Sequence, residues 1–320
     1  MSFGGRSSLA VLFRVLVAVG VLALLFVKIP AREVWEAMGR AQSGYLAGAF
    51  GLTFVMELAI ALRLKWFVEA HAISITTPRV LAINLSSRFY ALGLPIGNAF
   101  ALVLRVRRMV QGSGRYADVA ASVLLDRLST SAAMSAFGFV AWSIERSETA
   151  EPGMVLAFAA LLASALYTLA LCWHSLPRIA RFVARVENRV PGKYREILRS
   201  AAPARDPLSL TVRTWGMSLF VHAVGTIATW LFARSIGIDA PVLAIAWVRS
   251  VGLLAAGLPV SFAGLGVREG VYVVLLSAYG VAAPEALALS LISFGVVVLG
   301  IGLLGAALEL RRALPRWRTE

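Results

Sequence analysis

Charge is scarce in this sequence. Only 15% of its 320 residues are Asp, Glu, Lys or Arg, while 59% are hydrophobic; an average soluble protein carries roughly a quarter charged residues. Long polar stretches are missing too, so nothing along the chain could hold a separate soluble domain. Cysteine is represented by Cys172 alone, which excludes an intrachain disulfide and a cysteine metal cluster. His71, His174 and His222 lie far apart, with no HExxH pattern and no pair at helical spacing. No metal and no cofactor are expected.

What the sequence has in abundance is apolar length. Leu9–Ile29, Met154–His174 and Pro284–Leu308 each run about 20 residues or more with hardly a charge, the length that crosses a hydrocarbon core of about 30 Å. One such stretch could be a buried helix of a soluble protein, but a whole series of them could not. The expected fold is all-α, a polytopic integral membrane protein with a single transmembrane domain over residues 1–320. The expected segments are 9–29, 43–62, 80–104, 117–144, 154–174, 208–233, 242–280 and 284–308. The first is too long for a signal h-region and runs into Lys28-Ile29-Pro30 with no small-x-small cleavage site, so an uncleaved span is expected.

The formal charge of +14 does not point to nucleic acid. Basic residues gather at segment ends, as on the cytoplasmic face of a membrane protein, and neither an RNA-recognition signature nor a zinc-finger spacing is present. The 175–207 loop is strongly basic, from Arg178 to Arg205, and Arg311, Arg312, Arg316 and Arg318 follow near the end of the chain. Both regions are expected inside, with both termini cytoplasmic in a bacterial inner membrane. The 145–153 loop, with Glu145, Glu148 and Glu151, is expected outside. Arg63, Lys65, Arg105, Arg107, Arg108 and Arg115 then mark two further inner loops. Within 175–207, Ile179, Phe182, Val183, Val186 and Val190 recur at helical spacing. They fit either an amphipathic helix on the inner leaflet or a connector packed on protein.

These assignments make segment 80–104 start and end inside, and 242–280 start and end outside, so each is expected to be a re-entrant or hairpin segment. The two resemble each other. The first reads Val80-Leu81-Ala82-Ile83, Arg88, Gly93-Leu94-Pro95 and Arg105; the second reads Val242-Leu243-Ala244-Ile245, Arg249, Gly257-Leu258-Pro259 and Arg268. A four-plus-four inverted repeat follows, with halves 1–148 and 149–320. Secondary transporters often have this plan, with broken helices meeting near the midplane. Duplication alone would give the same symmetry without transport. Pro95, Gly97, Pro259, Gly264 and Gly266 would permit the breaks.

Ionisable groups inside a bilayer cost about 2.5–3.5 kcal/mol each on insertion scales, so those present need partners or a wet cavity. The candidates are Glu57, Arg88, Arg105, Asp126, Arg127, Arg249, Arg268 and Glu269. Asp126 lies about 14 Å into its segment at 1.5 Å per residue, near the midplane. Arg88, Arg105, Arg249 and Arg268 suit an anionic ligand, because the guanidinium fork donates two hydrogen bonds to phosphate at once. A structural network of Arg88 or Arg249 with Asp126 and Glu57 fits the same residues.

The stretch Leu258-Pro259-Val260-Ser261-Phe262-Ala263-Gly264-Leu265-Gly266-Val267-Arg268-Glu269-Gly270 resembles a signature of the lysylphosphatidylglycerol synthase transmembrane-region family. Pro95–Arg105 and the pair Asp126-Arg127 look like that family's landmarks in the first half. In multiple peptide resistance factors this kind of region is the lipid-flippase part, and stand-alone members are associated with glycolipid, polyprenyl-linked glycan or hopanoid pathways. The resemblance therefore implies lipid translocation. Two departures qualify it: Asp126 stands where glutamate is expected before the arginine, and no aminoacyl-transferase domain follows before Glu320, so lysine transfer to lipid is not expected.

The expected function is flippase-like movement of a lipid or lipid-linked anionic substrate, with membrane lipids as partners and a homo-oligomer or a lipid-biosynthesis protein as further ones. The alternative is an integral membrane enzyme, or a subunit of one, acting on a lipid-linked substrate of the glycolipid, polyprenyl-phosphate or hopanoid class. The sequence offers carboxylates for that role but no activated nucleophile and no metal set. With no ATP-binding motif present, active transport would draw on an ion gradient or a partner.

Overall fold

A backbone in hydrocarbon must satisfy its N–H and C=O groups internally, and long apolar runs answer that demand as helices. In the computed structural model, residues 5–93, 97–111, 113–145, 150–172, 185, 192–200, 207–257 and 264–313 are described, and among them there is no strand. The chain order is α1 (Gly5–Lys28), α2 (Ala31–Gly39), α3 (Ser43–Ala70), α4 (Thr77–Gly93), α5 (Gly97–Val110), α6 (Tyr116–Glu145) and α7 (Ala150–Cys172). Then come α8 (Gly192–Ser200), α9 (Pro207–Ser235), α10 (Val242–Gly257) and α11 (Val267–Leu276), followed by α12 (Ala283–Phe294) and α13 (Gly300–Ala313). A π-helical turn, Gly295–Leu299, joins α12 to α13.

Three stretches are long and apolar enough to cross a membrane: Ser43–Ala70, Leu208–Ser235 and Ala283–Arg312. Their outward faces stay apolar, with Phe54, Val55, Leu58, Val212, Phe220, Ile227 and Leu303 exposed. So large an exposed apolar area marks a lipid-facing surface. α6 is as long, at 30 residues, but carries Asp126, Arg127 and several serines. Its inward positions are small (Ala121, Ala132, Ala133, Ser129 and Ser135 are buried), which lets neighbouring helices approach closely.

The segment expected at 43–62 is longer than the sequence suggested. α3 continues to Ala70 and carries Arg63 and Lys65 inside the helix rather than in a loop. Its apolar run resumes after Arg63 with Leu64, Phe67 and Val68, all fully buried. α2 is a short helix the sequence reading did not anticipate; Val34 and Ala37 turn inward and Arg32 pairs with Glu36 outside.

Each expected broken segment is two helices packed against each other, α4 on α5 and α10 on α11. Pro95 and Pro259 fall outside the described residues. Gly97 begins α5, while Gly264 and Gly266 have φ of +76° and +84°, a region that favours glycine. The basic loop expected over 175–207 is described only at Arg185 and in α8. The two broken segments also pack outward in a matched way. α4 lies along α13 and α10 lies along α6, while α3 and α9 make the most extensive helix pair.

The α4–α13 crossing is close at Gly305, where a Cβ would collide with the backbone carbonyl of Leu85. Backbone cannot shift as a flexible side chain can. Gly305→Ala is therefore expected to destabilise the protein by about 1–3 kcal/mol, the usual cost of overpacking. A lowered unfolding temperature in detergent would register it, and Gly51→Ala, where a Cβ meets open space, is the matched control.

Candidate functional site

The polar interior is built on α3 and α6. From α3, Arg63 donates through Nε to Asp126 Oδ1 at 2.8 Å and through Nη1 to Ser218 Oγ of α9 at 2.9 Å. Both ion-pair side chains are nearly inaccessible, at 2% and 4%. Ser218 Oγ spends its single hydrogen on the Thr214 carbonyl, so at the 2.9 Å contact between Ser129 and Ser218 the donor is Ser129. Tyr167 of α7 reaches Thr214 Oγ1 at 2.5 Å, which extends the network to four helices. This buried pair thus sits in a hydrogen-bonded setting, the condition under which a buried ion pair is tolerated.

Beside it, Arg88 of α4 donates to Glu57 Oε1 of α3 at 2.5 Å. Glu57 is 1% exposed, while the Arg88 side chain is 41% exposed, so the arginine reaches open space with its counter-ion behind it. Arg105 of α5 is buried and has Arg127, Asp126, Arg88 and Glu57 as its electrostatic neighbours. Arg127 of α6 is exposed, although Asp126, Arg88 and Arg63 lie within electrostatic range. Among the described residues neither Arg105 nor Arg127 has a hydrogen-bond or ion-pair partner, and Arg105 Nε is buried without one. Glu57 Oε2 and both amide atoms of Asn84, one turn before Arg88, are likewise buried and unpartnered among the described residues.

The second-half candidates form a separate group. Glu269 of α11 is fully buried; its Oε2 accepts the Gly266 N–H at 2.7 Å, and its Oε1 accepts Ser290 Oγ at 3.1 Å and pairs with Arg268. Arg268 Nε also donates to Ser290 at 3.1 Å, and its guanidinium lies 4.9 Å from the Phe294 ring centroid. Carboxylate, serine and ring thus already engage Arg268. Arg249 of α10 has no ion pair among the described residues, and its Nη1 is buried without a partner. Tyr272 connects it electrostatically to Arg268 and Glu269.

The structure therefore gathers Glu57, Arg88, Arg105, Asp126 and Arg127 in one place, with Arg249, Arg268 and Glu269 in a second. Arg63, the hub of the first group, was missed because it lies beyond the span as read from hydropathy; the apolar residues that follow it were the available signal. Six arginines share these two groups with three carboxylates, and each carboxylate has an arginine: Glu57–Arg88, Asp126–Arg63 and Glu269–Arg268. Arg105, Arg127 and Arg249 remain as surplus cations.

A further feature lies where α4, α5 and α13 meet. Glu309 accepts both Nη groups of Arg108 at 2.6 Å and the Tyr90 hydroxyl at 3.0 Å. Next to this fork is an open cavity of about 660 Å³ lined by Phe89, Tyr90, Arg108, Ala306, Leu310 and Arg312 among others. Its walls are apolar and its rim is charged. Among the described residues no group of histidine, cysteine or carboxylate side chains is placed to hold a metal ion.

No curated protein matches this chain. The sequence profile described as the lysylphosphatidylglycerol synthase transmembrane region does match it, over residues 11–305, nearly the whole length described above and both polar groups. With helices of membrane length, a lipid-facing apolar surface and that match, the chain is a membrane protein related to lipid handling and belongs to the lysylphosphatidylglycerol synthase transmembrane-region family.

Proposed function

We propose that this protein translocates an anionic lipid or lipid-linked headgroup across a bacterial inner membrane in the manner of a flippase. The observation that carries the reading is the surplus of cations at the depth of the spans. Arg105 and Arg127 have no counter-ion among the described residues, and Arg127 and Arg88 reach open space beside them. A cation in that setting is costly unless an anion or water compensates it, and a phosphate headgroup carries the matching charge and geometry. The amphipathic cavity between α4, α5 and α13 suits a lipid, with tail against Phe89, Ala306 and Leu310 and headgroup toward Arg108 and Arg312.

The matched packing of α4 on α13 and of α10 on α6 supports an inverted repeat in which each broken segment rests on the last long helix of the other half. In such a plan the broken helices move against a fixed frame and open the polar interior to each side in turn. The Arg108–Glu309 fork ties α5 to α13 and would have to part when that face opens.

Reconstitution in liposomes with fluorescent anionic and zwitterionic lipids tests the reading. Arg105→Gln and Arg127→Gln are each expected to slow translocation of the anionic lipid at least tenfold, a loss of about 1.4 kcal/mol of transition-state stabilisation. Both variants should keep the wild-type unfolding temperature to within a few degrees, since neither arginine closes an ion pair. Wild-type rates in both would overturn the assignment of these residues.

A further inference from the structure

Glu57 and His222 hold equivalent places on the two most tightly packed helices. Glu57 lies thirteen residues before the end of α3 at Ala70, and His222 thirteen before the end of α9 at Ser235. Each of these helices is followed by a broken segment whose first helix carries an arginine, Arg88 in α4 and Arg249 in α10. In the first half the carboxylate meets its arginine at 2.5 Å. In the second half no carboxylate is present at that place, and the polar atoms left there are orphaned. Among the described residues His222 Nδ1, Thr226 Oγ1 and Arg249 Nη1 are all buried without a hydrogen-bond partner.

Arg249 packs against the stretch of α9 that carries the other two groups. The Arg249 guanidinium lies on α9 at Gly225, where a Cβ would collide with it, and Thr226 is the next residue. His222 is one turn earlier on the same helix and has Arg249 as an electrostatic neighbour. His222 and Thr226 are 3% and 2% exposed. The buried carboxylates described on the helices around them are each engaged elsewhere: Glu57 by Arg88, Asp126 by Arg63 and Glu269 by Arg268. The other charged or titratable groups that act on His222 and Arg249 among the described residues are Arg63 of α3 and Tyr272 of α11.

We propose that Arg249, His222 and Thr226 form a binding site for a small inorganic anion of chloride size, taken up together with a proton. The anion occupies the place that Glu57 holds against Arg88 in the other half. Small size follows from burial, since the orphaned atoms are themselves inaccessible to solvent. The proton follows from the imidazole. Nε2 faces the Thr130 carbonyl at 3.3 Å, and a carbonyl only accepts, so Nε2 carries a hydrogen. In the neutral ring Nδ1 is then a bare lone pair and repels an anion. Burial and the charges of Arg249 and Arg63 oppose a second proton on the ring, so Nδ1 becomes a donor only as the anion arrives, and proton and anion enter together with no net charge added to the membrane interior. Arg249 retains partial exposure, which gives the anion an approach.

The test uses the purified full chain in detergent and in nanodiscs of zwitterionic lipid. Chloride or bromide is titrated against a gluconate background, with thermal unfolding and calorimetry as readouts. Wild type is expected to show saturable stabilisation by chloride, with affinity rising about tenfold per unit fall in pH above the ring's titration. Arg249→Met and Thr226→Val should lose the response or weaken it at least tenfold, whereas Arg127→Gln should keep it. His222→Gln, which can still donate but cannot titrate, should bind without the pH dependence. Should Arg249→Met fail to fold, bromide soaked into wild-type crystals supplies the second reading, with an anomalous peak expected between Arg249 and His222. Identical wild-type stability in chloride and gluconate at both pH 6 and pH 8 would mean that water alone fills the site and would overturn the proposal. Stabilisation by anionic-lipid nanodiscs but not by chloride would overturn it in favour of a headgroup, and pH dependence surviving in His222→Gln would remove the proton from it.

Discussion

Replacing Asp126 with alanine should cost about 3–5 kcal/mol of stability, the penalty typical of removing one partner from a buried ion pair. Arg63 would be left with 2% of its side chain exposed and only Ser218 as a hydrogen-bond acceptor. A charge so enclosed has no water to fall back on. The double variant Arg63→Met/Asp126→Leu should recover most of the loss, because it removes both charges and keeps the volume. Asp126→Glu should fall between, at about 1–3 kcal/mol, since an extra methylene must fit where the shorter acid already meets Arg63 at 2.8 Å. Denaturant unfolding of the detergent-solubilised protein measures all three. Asp126→Ala unfolding together with wild type would show that the pair holds nothing together. The glutamate expected at this position from the family resemblance is thus replaced by an aspartate fitted to its partner on α3.

Glu269→Ala should be comparably severe, again about 3–5 kcal/mol, for a different structural reason. Glu269 is a junction: it accepts the Gly266 N–H at the start of α11, pairs with Arg268 and accepts Ser290 of α12. Its loss frees the first turn of α11 from α12 and leaves Arg268 with Ser290 and the Phe294 ring alone. Amide hydrogen exchange should therefore quicken along Val267–Leu276 more than along α3 or α9, a local opening rather than a uniform one. Glu269→Gln should be milder, because an amide oxygen can still accept from Gly266 while the charge on Arg268 goes uncompensated. Equal protection of α11 in wild type and Glu269→Ala would show that the junction does not hold the helix.

Much of the helix plan was legible in the sequence. Glycine marked both broken segments: Gly97 opens α5, and Gly264 and Gly266 take the positive φ that only glycine tolerates cheaply. The charges inside the spans could be picked out because each is costly in hydrocarbon, and Glu57, Asp126 and Glu269 all proved buried with an arginine against them. Arg63 escaped because hydropathy averages over a window, and a lone arginine beside Lys65 reads as the end of a span. The Arg108–Glu309 fork escaped for a second reason: its partners are 201 residues apart and belong to helices with no sequence signal linking them.

The sequence by itself determined that this chain is helical and lies in a membrane, because apolar runs of this length leave the backbone no other way to satisfy its hydrogen bonds. It also determined which residues are expensive there. Only the tertiary structure decided how that cost is met. Whether an arginine finds a carboxylate depends on the rotation and axial offset of two helices distant in sequence, and those are set by side-chain packing across α3, α4, α6, α9 and α10. That packing neutralises Arg63, Arg88 and Arg268 and leaves Arg105, Arg127 and Arg249 without a counter-ion among the described residues.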